Sequence, residues 1–201
     1  MRRKSSDLEK TKQQILEAGL QLLQEKGYNA TGIQDIASAA KIPKGSFYNY
    51  FANKEAFGAA VIRYYTAMNL ENWLFLLQAA TAKADSYQAL STAFLSVTEK
   101  YRCEAVKKGC LLGTMAAEIS EVSEECRVAL HESIAKFKTV LADHLADGQQ
   151  LNKVRRDISS QALADLVWDC WQGSLLRMKV EKSVEAVERD LETLFHHLLL
   201  P

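Results

Sequence analysis

Residues 44–51, with the sequence KGSFYNYF, place a cation, two small residues, hydroxyl groups and an amide beside two phenylalanines. Lysine, serine, tyrosine and asparagine side chains form hydrogen bonds with phosphate oxygens and with the edges of bases. Phe47 and Phe51 are four residues apart, so on a helix they share one face and can anchor it to a core. This mixture predicts a helix that contacts nucleic acid with one face and packs into the protein with the other.

Two short helices joined by a tight turn are predicted to hold these side chains. Thr31 is expected to cap the first helix, because its hydroxyl can accept a hydrogen bond from a nearby backbone N–H. Pro43 has no N–H and disfavours helical geometry at Ile42, so a second helix can start there. In a helix-turn-helix the second helix enters the major groove of DNA. The predicted contacts are Lys44, Gly45, Ser46, Tyr48, Asn49, Tyr50 and Lys54.

A known family has a similar stretch. Residues 30–54, ATGIQDIASAAKIPKGSFYNYFANK, resemble the DNA-binding signature of TetR-family transcriptional regulators. The resemblance covers the first quarter to third of the chain, because the remainder varies widely in that family. It implies DNA contacts at most of the positions named above. It adds Thr31 as a contact and Gln34 as a further candidate on the supporting helix.

Composition favours an all-α protein with a basic head. The 201 residues include two prolines, nine glycines and 48% hydrophobic residues, and no sustained alternation of β-branched residues appears. Residues 1–65 carry ten Lys or Arg against six Asp or Glu, +4, which leaves −4 for the remainder. We expect a three-helix DNA-binding domain at residues 1–52. A larger helical domain for ligand binding and dimerisation is expected at residues 53–201.

Helical periodicity continues along the rest of the chain. Helices are predicted from Asp7 to a C-cap at Gly27 and from an N-cap at Asn53 through residue 68. Further helices are predicted over residues 70–80, 87–106, 109–120, 123–146, 159–179 and 184–199, with a break at Gly148. The absence of a long apolar stretch or signal-peptide core predicts a cytoplasmic protein with no membrane partner. The helix from Asn53 is expected to link the two domains mechanically.

An apolar stripe in the last helix repeats at spacings of three and four residues. It can face its own domain's core, or it can form a four-helix dimer interface with the preceding helix and a second copy. TetR regulators dimerise through their last two helices, so the resemblance favours the interface. A homodimer would match two half-sites of a near-palindromic operator. The predicted interface residues are Leu163, Val167, Trp171, Val184, Val187, Leu191, Leu194 and Leu198.

The four cysteines lack the spacing and histidine neighbours of a zinc site, so neither a metal nor a cofactor is expected. Cys110 follows Lys107, Lys108 and Gly109, and nearby cations and a helix N-terminus favour a reactive thiolate. Residues 108–127, KGCLLGTMAAEISEVSEECR, resemble a region of the NemR-type branch of TetR regulators, where a cysteine in a Gly-Cys-Leu setting senses electrophiles and chlorine stress. The resemblance makes Cys110 a candidate redox sensor, with Cys103 and Cys126 as secondary candidates. The alternative is that Cys110 is a small buried hydrophobe.

An aromatic-rich pocket is the other possible effector site, with Met115 and Trp168 as candidate walls. No phosphate loop, GxSxG elbow or HExxH motif occurs, so an enzyme is not expected. The sequence therefore predicts a dimeric repressor that an unknown small molecule or electrophile releases from operator DNA. The alternative is a non-specific, architectural DNA-binding protein without an effector response.

Overall fold

The computed structural model describes residues 5–82, 84–103 and 108–201, with burial assigned from residue 7 onward, and all regular elements in those ranges are helical. The predicted all-α class is confirmed. Within the same ranges, no helix is both long and apolar enough to span a bilayer. The elements are α1 (Ser5–Lys26), α2 (Ile33–Ala39), α3 (Lys44–Phe47), α4 (Lys54–Thr81), α5 (Ser86–Cys103), α6 (Leu111–Ile119), α7 (Glu124–Gln150), α8 (Ser160–Glu181) and α9 (Glu185–Thr193), which continues as a π-helical turn, Leu194–Leu198.

The chain divides into two compact units. Unit 1 joins the chain up to Ala67 with Leu111–Ser133, and unit 2 joins Met68–Cys110 with Ile134–Pro201. Unit 1 therefore holds α1, α2, α3 and α6, and unit 2 holds α5, α8 and α9. Helices α4 and α7 contribute residues to both units. The domain boundary placed between residues 52 and 53 stays a prediction.

The loop between α1 and α2 confirms one predicted cap and corrects another. Gly27 ends α1 in the left-handed region (φ +82°), as expected of a C-cap glycine. Thr31 does not cap α2, because it is fully buried and its hydroxyl donates to the Gly27 carbonyl at 2.7 Å. Gly32 occupies the N-cap position instead, and its N–H donates to the Asp35 carboxylate at 2.9 Å.

Several helix boundaries differ from the predicted ones. Helix α4 runs unbroken to Thr81, so the helices predicted on either side of residue 69 are one. Helix α6 starts at Leu111, two residues after the predicted start, because Gly109 is in the left-handed region (φ +71°). The predicted end of the preceding helix at residue 106 lies outside the described residues. Gly148 does not break α7; a Cβ there would lie 2.6 Å from Val154 Cγ2, so its missing side chain admits the following loop.

Aromatic rings form the core of unit 2. The Phe94 ring centroid lies 4.8 Å from that of Trp73, 5.0 Å from Trp171 and 5.7 Å from Phe195. These contacts bring α4, α5, α8 and the terminal π-helical turn together. They bury large aromatic areas, which dominate core energetics.

A polar cluster fixes α9 on α8. Ser174 Oγ donates to Asp190 Oδ2 at 2.6 Å, and Arg177 donates to Asp190 Oδ1 at 2.9 Å. The same guanidinium donates to the Ala186 carbonyl at 3.2 Å. Both charges of this ion pair therefore have hydrogen-bond partners, which a partly buried pair needs to be stable.

The apolar stripe predicted as a dimer interface faces the core of its own unit. Leu198 is 47% exposed, whereas each of the other candidates is at most 8% exposed in a single chain. The inward orientation, which the sequence left open, is the one observed. The buried members are Leu163, Val167, Trp171, Val184, Val187, Leu191 and Leu194.

Candidate nucleic-acid interface

A tight turn separates α2 from α3. Lys41 is in the left-handed region (φ 55°), and the Ile42 N–H donates to the Ala37 carbonyl at 2.9 Å. This arrangement satisfies a carbonyl that the end of α2 would otherwise leave open. From α1, Gln14 Nε2 donates to the Ala40 carbonyl at 2.9 Å, so a third helix holds the turn in place.

Helix α3 is a single turn with polar side chains on its outward face. Pro43 precedes it in an extended conformation (φ −60°, ψ 140°), as the sequence predicts for a proline-directed helix start. The turn continues as far as Phe51, whose N–H donates to the Phe47 carbonyl at 3.1 Å. Lys44, Gly45, Tyr48 and Asn49 are exposed, and Ser46 and Tyr50 are half-buried.

Three phenylalanines attach this turn to the start of α4. Phe47 is fully buried, and its ring centroid lies 5.5 Å from that of Phe51 and 5.6 Å from that of Phe57. The rings of Phe51 and Phe57 are 5.3 Å apart and perpendicular, a favourable edge-to-face geometry. A Cβ on Gly19 of α1 would lie 2.1 Å from Phe57 Cζ, so the glycine lets α1 pack closely on this cluster.

Lys54 stands at the first position of α4, and Asn53 caps that helix as predicted by accepting the Ala56 N–H at 2.7 Å. Lys54 Nζ donates to the Tyr28 carbonyl at 2.8 Å and lies 4.2 Å from the centroid of the Tyr28 ring. Burial lowers the pKa of Lys54, and the negative charges of Glu55 and Glu118 raise it by less than burial lowers it. A phosphate contact by Lys54 would therefore have to use its other two N–H donors.

Of the two candidates at α2, only one has an accessible side chain. Thr31 is fully buried, and its hydroxyl supports the α1–α2 loop. Its side chain therefore cannot make the predicted contact with DNA. Gln34 is exposed and donates to Ser38 Oγ at 3.2 Å. Gln34 remains a candidate contact beside α3.

Two further features of this surface bear on nucleic-acid contact. Lys41 is exposed in the turn directly before α3, and it is not among the contacts predicted from the sequence. The sequence feature that could have identified it as a contact is a positive charge next to the helix predicted to enter the major groove. A Cβ added to Gly45 would meet nothing within 4 Å, so the protein's own packing does not require a glycine there.

The candidate sensor cysteines have different environments. Cys110 is half-buried directly before α6, with Lys108 nearby in sequence; Lys107 lies outside the described residues. Cys103 is exposed at the end of α5. Cys126 is fully buried, its thiol donates to the Glu55 carbonyl at 3.4 Å, and burial raises its pKa. Burial therefore makes Cys126 the least reactive of these three.

The two candidate pocket walls belong to different units. Met115 is fully buried in unit 1, and Trp168 in unit 2 stacks on Phe137 with ring centroids 5.5 Å apart. A surface groove of about 510 Å³ in unit 2 is lined instead by residues near Arg155 and His197. Among the described residues no group of three or more His, Cys, Asp or Glu could hold a metal.

Comparisons with known proteins agree with this geometry. The family model described as "Bacterial regulatory proteins, tetR family" matches residues 15–61, which contain α2, the turn and α3. The model described as "Tetracyclin repressor-like, C-terminal domain" matches residues 86–194. The chain belongs to the TetR family. It is therefore a DNA-binding transcriptional regulator rather than an enzyme.

Relatives match nearly the full length. The HTH-type transcriptional repressor DhaR of Mycobacterium sp. (strain GP1) is 32% identical over 188 residues, which cover 94% of this chain and 92% of DhaR. The HTH-type transcriptional repressor NemR of Escherichia coli (strain K12) is 28% identical over 182 residues, 90% of each chain. The crystal structure of the reduced form of E. coli NemR matches with a TM-score of 0.85, 26% identity and coverage of 93% and 96%.

Alanine substitutions within residues 44–51 test the interface. We expect Tyr48→Ala and Lys44→Ala to weaken binding to a selected DNA site about tenfold, since each removes a group from the exposed face. Lys44→Ala should also reduce the slope of log K against log salt by about 1. Fluorescence anisotropy titrations measure both quantities, and circular dichroism should show unchanged helix content.

The matched control is Lys10→Ala, which removes an exposed lysine from α1 of the same unit. Its salt slope should stay at the wild-type value. Equal affinities for wild type, Tyr48→Ala and Lys44→Ala would show that the exposed face of α3 does not bind DNA.

Proposed function

We propose that the protein is a homodimeric repressor that binds an operator with the exposed face of α3 and is released by an effector. The observation that carries this proposal is the division of residues 44–51 into a buried aromatic face and an exposed polar face. A helical turn built in this way can present hydrogen-bonding groups to a major groove. The proposed contacts are Gln34, Lys41, Lys44, Gly45, Ser46, Tyr48, Asn49 and Tyr50.

An outward stripe of α8 supports dimerisation. Six exposed residues at spacings of three and four lie on one face of this helix. Leu166, Leu176 and Val180 are 46, 55 and 82% exposed, more apolar surface than a solvated helix face needs. Gly173 lies within the stripe and would let a second helix approach closely. The stripe comprises Ala162, Leu166, Asp169, Gly173, Leu176 and Val180.

A charge placed in this stripe tests the dimer. Leu176→Glu should raise the dimer dissociation constant about 100-fold, because an unpaired carboxylate would be buried in an apolar interface. Sedimentation equilibrium should then give a mass near 22.5 kDa instead of twice that value. Leu95→Glu, at a 49% exposed leucine of α5, is the matched control and should remain dimeric. A dimeric Leu176→Glu would place the interface elsewhere.

Cysteine modification is the release mechanism that we propose first. Cys110 is half-buried and follows Lys108 and Gly109, and a Cβ built on Gly109 would lie 3.1 Å from Lys179 Cδ, so two lysines lie near this segment. Electrophiles and oxidants modify cysteine thiols that they can reach. The relative NemR has a crystal structure described as a reduced form, which supports redox chemistry in this branch of the family. Exposed Cys103 is the second candidate.

Serine substitution tests the cysteine. Mild hypochlorite should release wild-type protein from its selected DNA, and a reductant should restore binding, whereas Cys110→Ser should remain bound throughout. Anisotropy at fixed protein concentration measures the release, and Cys170→Ser, at a half-buried cysteine of α8 that is not a candidate sensor, is the control that should behave like wild type. Equal release of wild type and Cys110→Ser would exclude Cys110 as the sensor.

A small-molecule effector is the second candidate for release. In the described part of unit 2, two buried donors, Trp73 Nε1 and Gln172 Nε2, lack a hydrogen-bond partner. Leaving such a donor unsatisfied costs about 1–3 kcal/mol. An aromatic or apolar ligand that carries an acceptor atom could recover this free energy at Trp73, whose ring packs on Phe94. Binding would shift the population toward a released state only through a difference in affinity for the two states.

A non-specific, architectural DNA-binding role is the alternative function. It predicts nearly equal affinity for selected and scrambled DNA and no response to effectors. The comparison with scrambled DNA of equal length and composition separates the two functions.

A further inference from the structure

The loop between α1 and α2 leads directly into the helix-turn-helix, so its conformation decides where α2 begins. Residues 27–31 form this loop, and Tyr28 and Thr31 within it are 5% and 0% exposed. Within the loop, the Thr31 N–H donates to the Tyr28 carbonyl at 3.2 Å and the Thr31 hydroxyl donates to the Gly27 carbonyl at 2.7 Å. Neither bond uses the Asn29 N–H, so a group from another element must satisfy it.

Two charged side chains hold the loop from outside it. Glu118, near the end of α6, accepts the Asn29 backbone N–H on Oε2 at 2.9 Å. Lys54 Nζ, at the start of α4, donates to the Tyr28 carbonyl at 2.8 Å. One side chain thus satisfies a donor of the loop and the other an acceptor. Charged partners make both hydrogen bonds stronger than neutral ones.

The Glu118 carboxylate also packs directly against the loop backbone. A Cβ built on Gly27 would lie 2.5 Å from Glu118 Oε1, closer than real side chains approach. The positive φ of Gly27 requires a glycine there, and a side chain at this position would displace the end of the Glu118 side chain. Helix α6 and the α1–α2 loop therefore meet here through the Glu118 side chain.

Buried groups on the other side of the loop restrict it further. A Cβ on Gly58 of α4 would lie 2.9 Å from the Tyr28 ring and 3.0 Å from Cys126 Sγ. The Tyr28 ring therefore fills a space bounded by α4 and the start of α7. The loop backbone at Tyr28 can change position only if the ring leaves that space or if the bonds from Glu118 to Asn29 and from Lys54 to the Tyr28 carbonyl break.

We propose that Glu118 is a positioning residue for DNA binding, whose hydrogen bond to Asn29 fixes the α1–α2 loop and with it the placement of α2 and α3. This role rests on the proposed DNA reading by α3 and extends it to a residue outside the helix-turn-helix. It makes α6 a structural support of the DNA-binding head. Because α6 begins one residue after Cys110, the segment that carries the candidate sensor is continuous with that support.

Three variants test the proposal. Glu118→Ala removes the acceptor, and we expect about tenfold weaker binding to selected DNA together with about tenfold faster hydrogen exchange at the Asn29 amide. Glu118→Gln keeps an acceptor oxygen at the same position, so it should restore both quantities to within about threefold of wild type. Glu121→Ala, at an exposed glutamate three residues away, controls for the loss of a negative charge and should match wild type.

Anisotropy gives the affinity, amide exchange by NMR gives the protection of Asn29, and thermal unfolding reports any general loss of stability. Unchanged exchange of the Asn29 amide in Glu118→Ala would overturn the proposed role of Glu118. An affinity of Glu118→Ala for DNA equal to that of Glu121→Ala would also overturn it. Equal defects in Glu118→Gln and Glu118→Ala would also overturn it, since the hydrogen bond would then not be the cause. If wild type binds no specific DNA, the proposed function fails, while the exchange measurement still shows whether Glu118 holds the α1–α2 loop.

Discussion

Burial of the Phe47 ring between Phe51 and Phe57 is the constraint on which the DNA-binding surface depends. Helix α3 is only four residues long, and so short a helix is unstable alone because nucleation costs more than its few hydrogen bonds return. The aromatic cluster supplies the missing stabilisation and fixes the rotation of the turn about its axis. That rotation leaves Lys44, Tyr48 and Asn49 in solvent. Gly19 completes the arrangement, because a side chain there would occupy the space of the Phe57 ring.

The same logic extends from the reading helix to its supports. Gln14 holds the turn after α2, and Glu118 and Lys54 hold the loop before it, so both ends of α2 depend on side chains from other helices. The proposed release from DNA by an effector requires that this arrangement be changeable by a few kcal/mol, the usual size of an allosteric coupling. Surface hydrogen bonds to charged groups have about that free energy, whereas the buried aromatic cluster is worth more. The hydrogen bonds of Gln14, Glu118 and Lys54 are therefore easier to break in a conformational change than the packing of the aromatic cluster.

Sequence predicts the helix-turn-helix well because its signals are local. Pro43 starts one helix, Asn53 caps another, and the spacing of Phe47 and Phe51 identifies the buried face. Prediction fails where the outcome depends on distant partners. A helical stripe such as Val187, Leu191 and Leu194 shows that the residues share a face, but burial by its own unit or by a second copy produces the same periodicity. The exposed stripe of α8 interleaves apolar residues with Asp169 and Gly173, which weakens its signal. Thr31 has the right residue type for an N-cap, yet its hydroxyl donates to the preceding Gly27 carbonyl. The Glu118–Asn29 hydrogen bond joins residues 89 positions apart, and no pattern in the sequence predicts it.

Selection of binding sites from random double-stranded DNA tests the central claim most directly. Purified wild-type protein should enrich a near-palindromic sequence with two half-sites, since in the proposed homodimer two copies of α3 would contact equivalent bases in adjacent major grooves. Competition at physiological salt should show at least about 1000-fold preference for that site over unrelated DNA. Failure to enrich any sequence, with binding that depends only on salt and DNA length, would contradict the account and leave a non-specific DNA-binding protein.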